Sequence, residues 1–326
     1  MPGLSTLWSA QSIAIIGAST RPGAPGRLPL EFLLRYGYSG RIVPVNPHAV
    51  EVCGLPAYPT LAAAGPVDLV LIMVGADAAI EAVDECARLG VPVAIVGASG
   101  FAEAGDVGAQ AALLQRRGRT RILGPNCIGA VNFHTGLIAS FSPLFGGENT
   151  VLQPGGIALV SQSGALGFGA VSLAQERGIG LGWAVTTGNE ADVTALEVLT
   201  ELAREPECTG LLGYVETLAD GQALRRLAAQ GKPTALLVAG RSVAGRRAAE
   251  SHTGALAGDD RVTDAALRQF GIIRVNDIDE LLDVGAGFGT KRRTPARREF
   301  PRIAVVTTSG GSGILAADAL AEHGLN

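Results

Sequence analysis

At 326 residues the chain exceeds the size at which a single hydrophobic core keeps growing, so at least two domains are expected. Apolar residues make up 47% of it and glycines number 45, a composition of buried strands joined by tight turns that excludes disordered and fibrous classes. A formal net charge of −4 gives no field for a polyanion, so neither nucleic acid nor an anionic membrane is expected as a partner.

The N-terminus, Met1-Pro2-Gly3-Leu4-Ser5-Thr6-Leu7-Trp8, lacks a basic region ahead of an apolar stretch, and the longest apolar run, Leu69 to Val74, is far too short to span a bilayer. Cys53, Cys86, Cys127 and Cys208 are scattered without a C-x-x-C pair. A disulfide framework and a zinc site are therefore not expected, no metal is expected, and a reducing cytoplasm fits best.

In chain order, short β-branched runs alternate with alanine- and leucine-rich amphipathic segments: Ile13–Ile16, Ile42–Val45, Leu69–Val74 and Val93–Val96. Continuous rather than alternating hydrophobicity predicts strands covered on both faces, hence a doubly wound α/β domain over residues 1–147. After the Gly146-Gly147 turn the alternation restarts with Ile157–Val160, Gly182–Val185, Leu211–Val215 and Thr234–Val238, predicting a second domain of the same class over 148–290. Residues 291–301 are basic, proline-containing and without apolar period, and read as an exposed linker. Residues 302–326 hold one predicted strand, Ile303–Thr307, a turn and one helix. They read as the start of a third α/β unit, since a single βα unit cannot bury its own apolar face.

The first βα turn, Gly17 to Gly26, lacks the G-x-G-x-x-G spacing of a dinucleotide loop. The second strand ends in Val45-Asn46-Pro47-His48, without the acidic residue that holds an adenosine ribose. Hydride transfer is therefore disfavoured, while a nucleotide-like ligand carrying its own phosphates stays open. A ligand phosphorylated on the ribose would repel an acid there, and coenzyme A is such a ligand.

Ile157-Ala158-Leu159-Val160-Ser161-Gln162-Ser163-Gly164-Ala165 echoes Ile303-Ala304-Val305-Val306-Thr307-Thr308-Ser309-Gly310-Gly311-Ser312. Each is a strand, a hydroxyl-glycine turn and a helix, whose first N–H groups and dipole suit a phosphate or carboxylate. Between the copies lies His252, in Glu250-Ser251-His252-Thr253-Gly254-Ala255-Leu256-Ala257-Gly258, where every neighbour after Glu250 is small or hydroxylated until Leu256. The other histidines, His48, His134 and His323, sit in ordinary polar contexts. On these residues alone His252 is open between a catalytic and a structural loop histidine.

Together the Gly17-Ala18-Ser19 loop, Pro44-Val45-Asn46-Pro47, Ser99-Gly100-Phe101-Ala102-Glu103-Ala104-Gly105, Gly124-Pro125-Asn126-Cys127-Ile128-Gly129, Ser161-Gln162-Ser163-Gly164-Ala165 and Ser251-His252-Thr253-Gly254-Ala255 resemble the NDP-forming acyl-CoA synthetases, relatives of succinyl-CoA synthetase. The resemblance covers the whole chain. It implies a Rossmann-like coenzyme A-binding domain, then a flavodoxin-like ligase domain, and an interconversion of acyl-CoA, phosphate and NDP with the free acid, coenzyme A and NTP. It also implies that His252 becomes phosphorylated and Glu216 orients it, although a solvated carboxylate is the plain alternative for Glu216. Ser163, Gly164 and Ala165 would supply one phosphate-binding helix terminus, and Gly310, Gly311 and Ser312 the other. Gly17, Ser19, Asn46, Pro47, Val74 and Ser99 would bind coenzyme A, and Asn126 and Cys127 would line the acyl-phosphate pocket. Nothing near Cys127 in sequence would lower its pKa, so it reads as lining rather than nucleophile.

Where the family's loop often carries lysine, this chain has only Lys232 and Lys291, so Arg21, Arg27 or Arg41 would take the phosphate contacts. No ATP-grasp module fits within these 326 residues. ADP or ATP with Mg²⁺ would therefore be handled by an ATP-grasp subunit or domain, in an oligomer whose remaining partner is a small carboxylic acid or its acyl-CoA. A non-catalytic coenzyme A- or acyl-CoA-binding module is the rival reading.

Overall fold

The structure is a computed structural model describing residues 3–147, 150–218, 220–242, 245, 260–289 and 303–325. Met1–Gly289 forms one compact unit and Thr290–Asn326 another.

The first unit opens with α1 (Thr6–Ser9), β1 (Ser12–Ile16), α2 (Leu28–Arg35), β2 (Arg41–Val45), the small hairpin β3 (Glu51–Val52) and β4 (Leu55–Pro56), and α3 (Leu61–Ala64). It continues with β5 (Leu69–Ile72), α4 (Ala76–Leu89), β6 (Val93–Val96), α5 (Val107–Arg116) and β7 (Arg121–Leu123). The strands form a wholly parallel sheet in the order β2-β1-β5-β6-β7. Ile13, Ile15, Leu69 and Leu71 are fully buried, each contributing about 1.5–3 kcal/mol relative to exposure. Helix α4 shows how the sequence covers this sheet. Ala79, Ala82, Val83 and Cys86 form its buried stripe at helical spacing, Asp77 sits in its first turn, and Gly90 ends it in the left-handed conformation.

The second sheet contains β8 (Gly129–Asn132), β9 (Leu137–Ser140), β10 (Ile157–Ser161), β11 (Leu181–Thr186), β12 (Gly210–Val215), β13 (Thr234–Val238) and β14 (Ile273–Val275). Between and after them lie α6 (Gly164–Glu176), α7 (Ala195–Leu202), α8 (Gly221–Ala228), α9 (Asp260–Gln269) and α10 (Ile278–Gly289). Its order is β14-β13-β12-β10-β11-β8-β9, with β8 and β9 antiparallel to their neighbours and the rest parallel. All eight predicted strands from Ile13 to Val238 are present. Sequence reading did not find β7, the β8–β9 hairpin or β14. The hairpin precedes the Gly146-Gly147 turn yet pairs with the second sheet through Trp183↔Asn132 and Val185↔Ala130.

Counting only parallel strands in chain order, each sheet has the order 2-1-3-4-5, which places a topological switch point between its first and third strands. These switch points are β1/β5 and β10/β12. One buried cluster joins the two sheets, including Ile13, Ile15, Leu71 and Leu123 from the first and Val160, Trp183 and Leu211 from the second. Polar ties reinforce it. Arg121 donates from Nε to Asp192 Oδ2 at 3.0 Å and grips both Glu197 oxygens at 3.0 Å, and Trp8 Nε1 donates to Glu205 Oε1 at 2.6 Å.

In the second unit the expected strand Ile303–Thr307 does not form. No neighbouring strand takes up its ladder hydrogen bonds among the described residues, and Ile303, Val305 and Val306 are exposed. The helix that follows, α11 (Gly310–Glu322), does form, capped by Ser309.

Candidate functional site

At the β1/β5 switch point the chain turns sharply at Gly17, whose φ is +87°. A Cβ there would lie 2.6 Å from the Met73 carbonyl oxygen and 2.8 Å from Val74 Cγ1, so the glycine is required both by conformation and by close approach. The Gly17 and Ala18 N–H groups donate to the Val45 carbonyl at 3.2 and 3.3 Å. Asn46 then clamps the loop. Its Nδ2 donates to the Ala18 carbonyl at 2.7 Å, while its Oδ1 accepts from the His48 and Ala49 N–H groups at 2.7 and 3.0 Å. Ser19 Oγ accepts from Arg21 N–H at 3.2 Å. Gly17, Ser19, Asn46, Pro47, Val74 and Ser99 thus all follow the carboxyl ends of adjacent strands β1, β2, β5 and β6, with Pro47 and Ser99 exposed.

Of the three candidate arginines, two are committed to protein partners. Arg27 binds Glu31 at 2.6 Å and the Thr20 carbonyl at 2.8 Å. Arg41 donates to the Ala64 carbonyl at 2.9 Å and to the Pro66 carbonyl. Arg21 is exposed, and its guanidinium has no partner among the described residues.

The β10/β12 switch point is chemically different. Ser161 Oγ, at the end of β10, donates to the Ser163 carbonyl at 2.7 Å, shaping the turn into α6. Ser163 caps that helix, its Oγ accepting from Leu166 N–H at 3.4 Å. The first intrahelical bond here runs from Gly167 N–H to the Ser163 carbonyl at 3.0 Å, leaving the Gly164 and Ala165 amides at the open positive end. Thr307 Oγ1 donating to the Ser309 carbonyl at 3.1 Å and Ser309 Oγ accepting from Ser312 N–H at 3.4 Å repeat the same pattern in the second unit, ahead of Gly310, Gly311 and Ser312.

Across the switch point, Glu216 follows β12. Its Oε1 accepts from the Tyr214 hydroxyl at 3.3 Å, and its N–H donates to Gln162 Oε1. Burial pushes the Tyr214 phenol up to about 12, and the charge of Glu216 adds to the shift. A cavity of about 170 Å³ gathers Glu216, Gln162, Ser163, Gly164 and Ala165 with Asn126, Ile128, Glu103, Gly188 and Asn189. Sequence reading named five of these as site residues: Glu216, Ser163, Gly164, Ala165 and Asn126.

Asn126 enters on a left-handed backbone, φ 57°, and its Nδ2 donates to Asn189 Oδ1 at 3.3 Å. Asn189 in turn donates to Glu103 and to Gln110 Oε1, the latter at 3.0 Å. Burial opposes ionisation of Glu103, but bonds from Asn189 and from the Gly100 and Phe101 N–H groups outweigh it and hold its carboxyl below the usual range. Gly188 permits this junction, because a Cβ there would stand 2.2 Å from the Pro125 carbonyl oxygen. Cys127 does not line the cavity. It is buried beneath the loop with Sγ 3.5 Å from the Val96 carbonyl oxygen, and burial pushes its thiol up to about 12, which removes it as a nucleophile.

A larger cavity of about 550 Å³ lies on the other side of Gln162, lined by α7, α8 and Glu190. Its rim charges are paired with each other, Arg204 with Glu201 and Arg226 with Asp220. Only the smaller cavity holds the α6 terminus and Glu216, and it is the candidate site. Among the described residues no group of three His, Cys, Asp or Glu gathers to hold a metal, and no helix is long and apolar enough to cross a membrane. His252 lies outside the described residues. Sequence reading did not name Glu103 or Gln162 as site residues, although both stand within stretches it had singled out.

Comparison with known proteins places these features in context. A model for a "CoA binding domain" matches residues 11–132, and one for a "Succinyl-CoA ligase like flavodoxin domain" matches residues 154–288. The chain is similar to acetate–CoA ligase (ADP-forming) I subunit alpha of Pyrococcus furiosus, with 35% identity over 335 residues, covering 99% of this chain and 70% of that one. It is also similar to 4-hydroxybutyrate–CoA ligase (ADP-forming) of Nitrosopumilus maritimus, at 32% identity, covering 97% of this chain but 45% of that protein. Among solved structures, acetyl-coenzyme A synthetase 1 of Ca. Korarchaeum cryptofilum, in complex with phosphate and ADP, superposes with a TM-score of 0.89 at 32% identity, over 100% of this chain and 70% of that one.

Proposed function

The chain belongs to the NDP-forming acyl-CoA synthetases, as a coenzyme A ligase component, and from that premise we propose how its residues divide the reaction. The overall conversion is acyl-CoA, phosphate and NDP to carboxylic acid, coenzyme A and NTP. Residues 1–147 bind coenzyme A, and residues 148–290 carry the ligase chemistry. Residues 291–301 link to the third unit, which continues from residue 302.

Gly17, Ser19, Asn46, Pro47, Val74 and Ser99 form the coenzyme A cleft, and Arg21 supplies its phosphate contact. Phosphate attacks the thioester carbonyl, expelling the coenzyme A thiolate and leaving an acyl phosphate. The neutral His252 imidazole then attacks phosphorus, the P–O bond to the acyl group breaks, and the acid leaves as carboxylate. Glu216 accepts the other ring N–H of His252 and so fixes the attacking tautomer. The Gly164 and Ala165 amides and the α6 dipole hold the phosphoryl oxygens beside it. Asn126 faces the acyl end. Gly310, Gly311 and Ser312 offer the second set of phosphate-binding amides to the phosphoryl group while it stays on His252, until a nucleotide oxygen attacks phosphorus and the His252 N–P bond breaks.

An ATP-grasp subunit or domain outside this chain holds ADP or ATP with Mg²⁺, within a cytoplasmic oligomer. The acid is small, and its identity is not set by the motifs, since similar proteins are named for acetate and for 4-hydroxybutyrate.

One observation carries this reading: Glu216 and the α6 terminus meet in one cavity at a switch point, an acceptor for an imidazole N–H beside donors for a phosphoryl group. The test is incubation with acetyl-CoA and labelled phosphate. Acid-labile label on the wild-type chain that is absent from His252→Ala is the expected result. If coenzyme A binds tightly but His252 never takes label, a binding module replaces the synthetase component.

A further inference from the structure

Gln162 is the wall shared by the two cavities at the second switch point. Its backbone is fixed on both sides, its N–H donating to the Tyr214 carbonyl at 3.0 Å and its carbonyl accepting from Gly188 N–H at 3.1 Å. The side chain faces two demands. Val215 is the last residue of β12 registered with β13, so the next two amides lie beyond that register. Gln162 Oε1 takes both, accepting from Glu216 N–H and from Thr217 N–H at 3.3 Å.

On its other side Gln162 shares the larger cavity with Glu190, whose ionised carboxyl the Gln162 amide favours. Glu190 is itself held rigidly. It adopts a left-handed backbone, φ 53°, and its Oε1 accepts from Thr187 Oγ1 at 2.8 Å and from Ala195 N–H at 2.7 Å. Both bonds fall on Oε1, which leaves Oε2 as the acceptor for a Gln162 NH₂ turned toward it. Only a primary amide offers an acceptor to two N–H groups at one end and a donor to a carboxylate at the other, and Glu190 decides which way it points. A left-handed non-glycine residue carries backbone strain that the surrounding bonds must hold, and here they converge on one side chain.

We infer that Gln162 is a positioning residue for Glu216, oriented by Glu190, so that the carboxylate starts from a fixed Cα at the cavity wall. This rests on the proposed role of Glu216 toward His252 and deepens it. Gln162 itself touches no reacting atom. Its contribution is geometric, setting the distance and angle at which Glu216 meets the imidazole.

The test uses the full chain and labelled acetyl phosphate, which delivers phosphoryl directly to histidine, with coenzyme A affinity measured separately by calorimetry as a readout at the other switch point. Gln162→Met keeps the volume but leaves the Glu216 and Thr217 amides without their acceptor. Gln162→Glu keeps the acceptor but sets a carboxylate against Glu190. Each is expected to slow labelling by about 10- to 100-fold, with coenzyme A affinity unchanged. Adding Glu190→Gln to Gln162→Glu restores a donor–acceptor pair of reversed polarity, because the new amide oxygen can serve Thr187 and Ala195 while its NH₂ faces the new carboxylate. Recovery of most of the rate in that double variant supports the inference. It is overturned if both single variants label at the wild-type rate, if labelling and coenzyme A affinity fall together, or if the double variant binds coenzyme A normally but stays slow. A wild-type chain that never takes label overturns it together with the reading beneath it.

Discussion

The two sheets share one strand order and each opens a crevice at the same topological place, yet the two crevices have almost nothing chemical in common. At β1/β5, Gly17 sits beneath the Met73 carbonyl, Asn46 is consumed by internal bonds, and the one uncommitted charge among the arginines weighed there is Arg21. At β10/β12, the carboxylates Glu216 and Glu190 flank Gln162, Glu103 reaches in from the first half, and a helix terminus faces them. Topology supplies a crevice, and the residues at the strand ends decide what it does. A backbone-lined cleft with little charge suits holding a large ligand, whereas paired carboxylates beside a helix dipole suit handling a phosphoryl group.

The contrast breaks most readily at the second site. Glu216→Gln is expected to slow acid-labile phosphorylation of the chain by about 100-fold, with coenzyme A affinity unchanged by calorimetry. Equal loss of both would mean that the crevices are not separate in function. At the first site, Gly17→Ala forces a side chain onto a φ of +87°, costing about 1–3 kcal/mol of stability in denaturant titration. Coenzyme A affinity should fall about tenfold, the equivalent of about 1.4 kcal/mol.

A smaller and sharper contrast separates two carboxyls in the two cavities that share Gln162, Glu103 in the smaller and Glu190 in the larger. Glu103 ionises more readily folded than unfolded, so it contributes stability above the ordinary value of 4.5 that is lost as pH falls through its folded value. The stability gap between wild type and Glu103→Gln should therefore be widest near neutrality and close on acidification. Glu190 is raised, first by burial, against bonds from Thr187, Ala195 and Gln162, with the charge of Glu216 adding to the rise. The folded state holds that proton more tightly, so wild type should lose stability relative to Glu190→Gln as pH climbs from 4.5 through the raised value. Thermal melts of both pairs across this range should give slopes of opposite sign.

How much of this was legible in the sequence depended on locality. Strands buried on both faces, such as Leu69–Ile72 and Ile157–Ser161, announce themselves as continuous apolar runs. The three-residue strands Arg121–Leu123 and Ile273–Val275 are too short to show a period, and β8 and β9 are buried throughout, so no alternation marks the hairpin. Ile303–Thr307 has the composition of a strand but no neighbouring strand to pair with among the described residues. At the site, Ser163 and Gly164 were visible in the repeated Ser-Gly turn, whereas Glu216 was named through the family resemblance. Glu103, Gln162 and the adjacent pair Asn189 and Glu190 come from three stretches far apart in sequence and act by meeting across them, which no local pattern encodes. The signal that could have found Gln162 was the switch-point rule, since it directly follows β10, one of the two strands that flank it.

The division of labour between the crevices is tested most directly by labelling the Gly17→Ala chain with acetyl phosphate, which reaches the second crevice without passing the first. Labelling at the wild-type rate, alongside weakened coenzyme A binding, is the expected result. Labelling that falls in step with coenzyme A affinity, in a chain that still melts cooperatively, would contradict it.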